Sequence, residues 1–132
     1  MTQADDNKAT YLRFMEMLST HDFDALPEVL DVGTYREVCV GVTQGWVDYD
    51  TAVASVRQVA AMMGKIEVDL RSLLAEGDTV MALAAAPGGD SNGSGAPRFM
   101  FDYVKLADGK IVERVQMADM SGGAGQQQSW GS

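Results

Sequence analysis

The sequence predicts an α+β fold, a curved antiparallel sheet wrapped around N-terminal helices, and three observations carry that reading. Apolar residues recur at helical spacing over residues 9–19 and again over 50–63. After Gly64 the pattern switches from helical spacing to strict alternation. The turn sequences AEGD and ADGK then separate alternating stretches long enough to be strands. Helices followed by a meander of strands place the helices on one face of the sheet. A sheet that curls around them encloses a cone-shaped cavity, the kind of place where small ligands bind.

Each element has its own signal. Residues 9–19 set Tyr11, Phe14, Met15 and Leu18 at offsets of three, four and seven, one apolar stripe of a first helix. In the following THDFDAL, Asp22 or Asp24 caps a short second element carrying Phe23, Leu26, Val29 and Leu30. Pro27 favours Asp24, because the proline then falls in the first turn, where its missing N–H costs nothing. Residues 34–41, TYREVCVG, mix β-branched, aromatic and polar side chains and read as a strand. Asp50 to Met63 is a second helix, with Val53, Val56, Ala60 and Met63 on one side and Gly64 as its stop. Ile66, Val68 and Leu70 then alternate with Glu67, Asp69 and Arg71 in a half-buried strand. Thr79 to Ala86 is the next strand, residues 87–97 a long Gly-rich hairpin loop, and Arg98 to Leu106 and Ile111 to Asp119 are the last two strands. One domain, residues 1–120, precedes a Gly- and Gln-rich flexible tail, 121–132, that holds Trp130.

Composition narrows the partners. A chain of 132 residues buries a core without disulfides or a structural metal, and its single cysteine, Cys39, has no mate for an internal bridge. Ten Lys and Arg stand against nineteen Asp and Glu. The resulting net charge of −9 repels phosphate backbones and anionic lipid, so neither nucleic acid nor a membrane surface is an expected partner. MTQADDNKAT has no basic n-region or apolar h-region, and no stretch approaches the roughly 18 apolar residues of a membrane span. The expected location is the cytoplasm.

Read in order, a helix, HDFDALPEVL, a strand, a helix, LLAEGDTVMA and KLADGKIVERVQMAD make the chain resemble the SnoaL-like polyketide cyclase family of the nuclear transport factor 2-like superfamily, over about residues 8–120. The resemblance implies the cone-shaped fold and a cyclase or isomerase that moves protons on an apolar, oxygenated, polyketide-like molecule without cofactor or metal. Several activity-bearing positions depart from the pattern. In SnoaL-type cyclases the last strand typically reads EHWD, with the histidine and aspartate facing the pocket. Here the stretch is Glu113, Arg114, Val115 and Gln116, and an amide takes no proton at neutral pH. Limonene epoxide hydrolases need that aspartate too, with an arginine and a second aspartate on the strand that here reads VMALAAA, where Ala84 and Ala86 stand. Scytalone dehydratase relies on pocket histidines, and the one histidine here is His21, in the loop after the first helix.

Residues two apart share one face of a strand. With Val104 and Leu106 core-facing, Arg98, Met100 and Asp102 face the same way, as do Arg114, Gln116 and Ala118 on the last strand. Tyr35 and Glu37 stand where related enzymes put pocket aromatic and polar residues. The polar candidates are therefore Glu37, Asp102 and Gln116, in a cavity otherwise lined by Phe14, Met15, Met100, Ala84 and Ala86. A carboxylate desolvated among methionines and aromatics gains proton affinity, so Glu37 or Asp102 is expected to move the proton. Gln116 and Tyr35 would bind a substrate oxygen, and Phe14, Arg98, Met100 and Arg114 would complete the substrate site. A second reading stays open. A Glu37 or Asp102 paired with Arg98 or Arg114 is a structural ion pair, and the domain is then a dimeric binding module that has lost its acid/base residue.

The remaining features are weaker. His21 has no second His or Cys at ligand spacing and reads as a solvated neighbour of a helix cap. Cys39 reads as a small buried hydrophobe. Phe99, Phe101 and Tyr103 point to the other face of the sheet and, with Trp46, need covering. The natural cover is a second subunit, so a homodimer through the outer sheet face is expected.

Overall fold

Thr2 opens the first helix. Its hydroxyl accepts from the Asp5 amide while the Asp5 carboxylate accepts from the Thr2 amide, a reciprocal cap that starts α1 at Gln3 and carries it to Thr20. The helix begins well before its apolar stripe because this cap, and the bond from the Asn7 side-chain amide to the Gly77 carbonyl, secure its first turns. The computed structural model describes residues 2–41, 43–64, 68–86 and 98–118. After α1 come a 3-10 turn (Phe23–Glu28), β1 (Arg36–Val40), β2 (Val47–Asp48), α2 (Tyr49–Met63), β3 (Asp69–Glu76), β4 (Thr79–Ala86), β5 (Arg98–Ala107) and β6 (Lys110–Ala118). The six strands form one sheet in the order β2-β1-β6-β5-β4-β3.

The expected α+β architecture is present, with three local differences. Asp24 does not cap the short second element. That element is a 3-10 turn preceded by Asp22 without a side-chain cap, held instead by burial of Phe23 and Leu26, and Asp24 pairs with Arg57 at 2.7 Å. The sheet is mixed rather than wholly antiparallel. Beyond the turn, Ile111 donates its N–H to the Val29 carbonyl and accepts from the Asp31 amide, so the chain docks at the start of β6 and β1 then runs parallel to it. Finally, the alternating stretch does not keep one face inward. A register shift between Leu70 and Ser72 adds a residue, and beyond it Leu73 and Ala75 pack on the core while Leu70 and Leu74 are exposed. Ile66, Glu67, the 87–97 loop, Asp119 and the tail with Trp130 lie outside the described residues.

The other elements follow their signals. Asp108 and Gly109 both take positive φ, 51° and 80°, as a two-residue hairpin turn requires, and they join β5 to β6. Gly64 ends α2 at φ 72°. Ala52, Val53, Val56 and Ala60 of α2 pack on the core; the Met63 side chain is outside the described set. Val80, Val104 and Ile111 are fully buried against Tyr11, Phe14, Leu26 and Val29. Each such aliphatic contributes about 1.5–3 kcal/mol by leaving water.

The inward faces of the strands are arranged in rows. Glu37, Arg114, Val104 and Val80 form one, Cys39, Gln116, Asp102 and Ala82 the next, and Ala118, Met100 and Ala84 a third. The first row is buried throughout, whereas Cys39 and Gln116 in the second and Ala118 and Met100 in the third are half-buried. The concave face thus loses burial in one direction along β1, β6 and β5. The opposite face carries Leu74, Met81, Tyr103 and Val115 in register, and beside them Leu83, Phe101 and Met117. Met81, Phe99, Phe101 and Met117 are solvent-exposed there. A groove of about 560 Å³ with Lys8, Leu74, Met81 and Tyr103 in its walls lies at the β3 edge, away from the polar residues of the concave face. Trp46 is apart from these aromatics, with the Arg36 guanidinium 4.2 Å from its ring centre.

Candidate active site

Three adjacent strands and one helix bring the polar candidates together. Arg114 on β6 sits between Glu37 on β1, its partner in register, and Asp102 on β5, one row further along. Its Nε donates to Asp102 Oδ1 at 3.0 Å and its Nη2 to Oδ2 at 3.2 Å, a two-pronged pair that the planar guanidinium is shaped to make. Its Nη1 lies 3.7 Å from Glu37 Oε1. The three residues are 6%, 4% and 9% exposed for Arg114, Asp102 and Glu37, so their charges are offset by one another and not by water. Two phenols complete the cluster. Tyr11 of α1 donates to Asp102 Oδ2 at 2.6 Å, and Tyr35 donates to Glu37 Oε1 at 2.5 Å.

The surroundings fix these groups. The Arg114 guanidinium lies 5.0 Å from the centre of the Phe14 ring, and Tyr35 meets the edge of Tyr49 at the start of α2. Burial works against the Arg114 charge, but Asp102, Tyr35 and Glu37 outweigh it and hold the guanidinium charged more firmly than usual. Burial, with Asp102, pushes the Tyr11 phenol above its ordinary range. Burial does the same to Tyr35, with Arg114 opposing and Glu37 assisting. Both phenols are fixed donors.

The two carboxylates end up unlike each other. Both oxygens of Asp102 accept hydrogen bonds, and its ion pair with Arg114 is closer than that of Glu37. Glu37 Oε1 accepts a hydrogen bond from the Tyr35 hydroxyl and faces Arg114 at longer range, while Oε2 accepts from the Cys39 thiol at 3.7 Å. Tyr35, expected to bind a substrate oxygen, donates its hydroxyl hydrogen to Glu37. Gln116 is half-buried beside the cluster, and Arg98 and Met100 are half-buried further toward the less covered end. Ala84 is buried and Met15 packs partly on the core, while the Ala86 side chain lies outside the described residues. His21 closes α1 in the left-handed conformation, its Nε2 3.1 Å from the Gly64 carbonyl, in the cap-side role expected of it. No group of three His, Cys, Asp or Glu close enough to hold a metal ion occurs among the described residues.

Sequence reasoning missed two members. Tyr11 was one apolar position of a helical stripe, although a buried phenol needs a partner and so signals a polar group opposite. Cys39 is two residues from Glu37, on its face of the strand, and its sulfur lies 3.4 Å from Gln116 Oε1. Burial first, and Glu37 second, push the Cys39 thiol up to about 11. A raised value means less thiolate at any given pH. Native Cys39 should therefore react with iodoacetamide about a hundredfold more slowly than a free cysteine near pH 8, with the rate still rising towards pH 11. Mass spectrometry of the intact protein reads this directly; a rate that levels off near pH 9 would contradict it.

The sequence pattern of the SnoaL-like domain matches residues 11–114, and the chain belongs to that family. Among curated proteins none matches it. Solved structures match over nearly the whole chain at low identity. IdmH of Streptomyces antibioticus, a candidate polyketide cyclase, superposes at a TM-score of 0.74 with 16% identity over 96% of this chain and 99% of its own. An epoxide hydrolase of the LEH-like type from M. tuberculosis gives 0.70 and 16% over 92% and 88%. A de novo designed protein with a curved β-sheet also gives 0.70, with 12% identity over 97% and 96%. An unevolved scaffold that matches as well as an enzyme shows that these likenesses are of fold. No helix among the described residues is long and apolar enough to cross a membrane.

Proposed function

We propose that this SnoaL-like domain is a cytoplasmic, cofactor-independent proton-transfer enzyme, a cyclase or isomerase acting on an apolar, oxygenated small molecule of polyketide type. The observation that carries the reading is the asymmetry of the two carboxylates around Arg114. Asp102 is engaged at both oxygens and serves to hold Arg114, whereas Glu37 Oε2 has, among the described residues, no hydrogen bond but the long one from a thiol. In this reading Glu37 takes a proton from carbon next to a carbonyl, Tyr35 and Arg114 steady the carboxylate, and Gln116 donates to the substrate oxygen. Phe14, Met100 and Arg98 would contact the rest of the molecule. The test is deuterium incorporation next to the carbonyl of 2-tetralone in D2O, followed by NMR. Exchange at least about a hundredfold above buffer is expected from a positioned base. Exchange no faster than buffer, despite saturable binding, would turn the reading to the alternative.

That alternative is a non-catalytic binding module with the same cavity. The closed coordination of Asp102 and the amide at Gln116 favour it.

We further propose that the domain is a homodimer through the outer sheet face. Support comes from exposed Met81, Phe101 and Met117 in two adjacent rows across three neighbouring strands, an apolar surface that a second copy would cover. Sedimentation at micromolar concentration should give twice the 14.2 kDa chain mass, and Phe101→Glu should return it to the monomer value. A monomeric wild type would overturn this.

A further inference from the structure

The row next to the Arg114 clamp holds a group that proton transfer by Glu37 does not use. Cys39 Sγ lies 3.4 Å from Gln116 Oε1 and 3.7 Å from Glu37 Oε2. A thiol has one hydrogen to donate, and the nearer of its two acceptors is the amide oxygen. Burial and Glu37 keep that hydrogen on sulfur at neutral pH. An amide whose oxygen is turned to the sulfur sends its two N–H donors the other way. Gln116 is half-buried, and its neighbours in the next row, Ala118 and Met100, offer no strong acceptor for those donors. On the covered side, two carboxylates stand against a single guanidinium, a balance that disfavours an anionic ligand.

We infer that Cys39 is a positioning residue: its thiol orients the Gln116 amide so that the N–H donors face the less covered end of the concave face, where they select a neutral ligand bearing a carbonyl oxygen over one of equal shape without it. This rests on the small-molecule site proposed above and specifies its preference. Cys39 itself touches no substrate in this arrangement. Its effect passes through one side chain, which separates it from a packing role, since packing would weaken every ligand alike.

The experiment compares 2-acetylnaphthalene with 2-isopropenylnaphthalene, in which a CH2 group replaces the carbonyl oxygen, by titration calorimetry on the full chain. Wild type should bind the ketone about tenfold more tightly than the alkene, the worth of one hydrogen bond that only the ketone makes. Cys39→Ala should bring ketone affinity down to that of the alkene and leave the alkene unchanged, and Cys39→Ser, which keeps a donor, should retain the preference. In ¹⁵N–¹H spectra the Gln116 side-chain pair, identified by its loss in Gln116→Met, should shift in Cys39→Ala and move back toward its place in Cys39→Ser. Equal binding of the two naphthalenes by wild type, or a preference that survives Cys39→Ala, overturns the inference and leaves the proposed site standing. Binding of neither overturns the proposed site, and the selection with it.

Discussion

Glu37→Gln should slow deuterium exchange on 2-tetralone by about 10²- to 10⁴-fold, the usual worth of a general base, while the protein stays folded. The substitution keeps the shape of the side chain and an oxygen able to accept from Tyr35, so the 2.5 Å bond between positions 35 and 37 has a replacement. What disappears is the second oxygen's capacity to take up a proton. The control is Asp102→Asn. In the proposed mechanism Asp102 holds Arg114 and moves no proton, so its amide should slow exchange by about tenfold or less, through loosened positioning. Equal losses in the two variants would mean that the carboxylates act as one unit, and a Glu37→Gln protein with undiminished exchange would remove Glu37 from the chemistry.

Arg114→Met should destabilise the fold by about 3–5 kcal/mol, a large share of the roughly 5–15 kcal/mol that holds a domain together. Methionine fills much of the arginine's volume and packs against Phe14, so the loss is chiefly of charge. Asp102 would be left with the Tyr11 hydroxyl alone, and Glu37 with that of Tyr35 and the more distant Cys39 thiol, both in a region where water does not compensate. Urea unfolding should show the lower midpoint at an unchanged slope. Neutralising the stranded groups in the triple variant Arg114→Met, Asp102→Asn, Glu37→Gln should restore much of the loss, because the unpaired charges and not the missing guanidinium carry the penalty. A triple variant less stable than Arg114→Met would assign the effect to packing.

The helices and the β4–β6 meander were legible because their signals are local. Asp108–Gly109 declares a two-residue turn, Gly64 a helix end, and Asp102, Val104 and Leu106 alternate on one strand face in the expected phase. The face of β3 was not legible, because a single added residue at the Leu70–Ser72 shift inverts it and nothing in the residue types announces a bulge. β2, two residues long, carries too little pattern to read. The candidate site divides in the same way. Which side chains share the concave face follows from alternation, but who bonds to whom does not. That Arg114 would grip Asp102 at two points, hold Glu37 at longer range and leave Tyr11 to complete the set depends on stagger between strands far apart in sequence. Both the desolvated carboxylate and the ion pair were available from the residues, and Arg114 pairs with both carboxylates, with Asp102 at two points and with Glu37 at longer range.

The parallel pairing of β1 with β6 has a consequence for how the molecule comes into being. Arg36 bonds Glu113, and Cys39 meets Gln116, across 77 residues of chain in each case. The β4–β6 meander can zip up through short hairpins, whereas joining β1 to β6 means closing a loop that spans most of the polypeptide, a slow step with a large entropic cost. Until that seam closes, Glu37 and Arg114 belong to different parts of the chain. A seam that closed one residue out of register would turn Glu37 to the opposite side of the sheet. A partly folded chain with a well-formed meander would thus have Arg114 and Asp102 in place but not Glu37 beside them, nor the Tyr35 hydroxyl that bonds it.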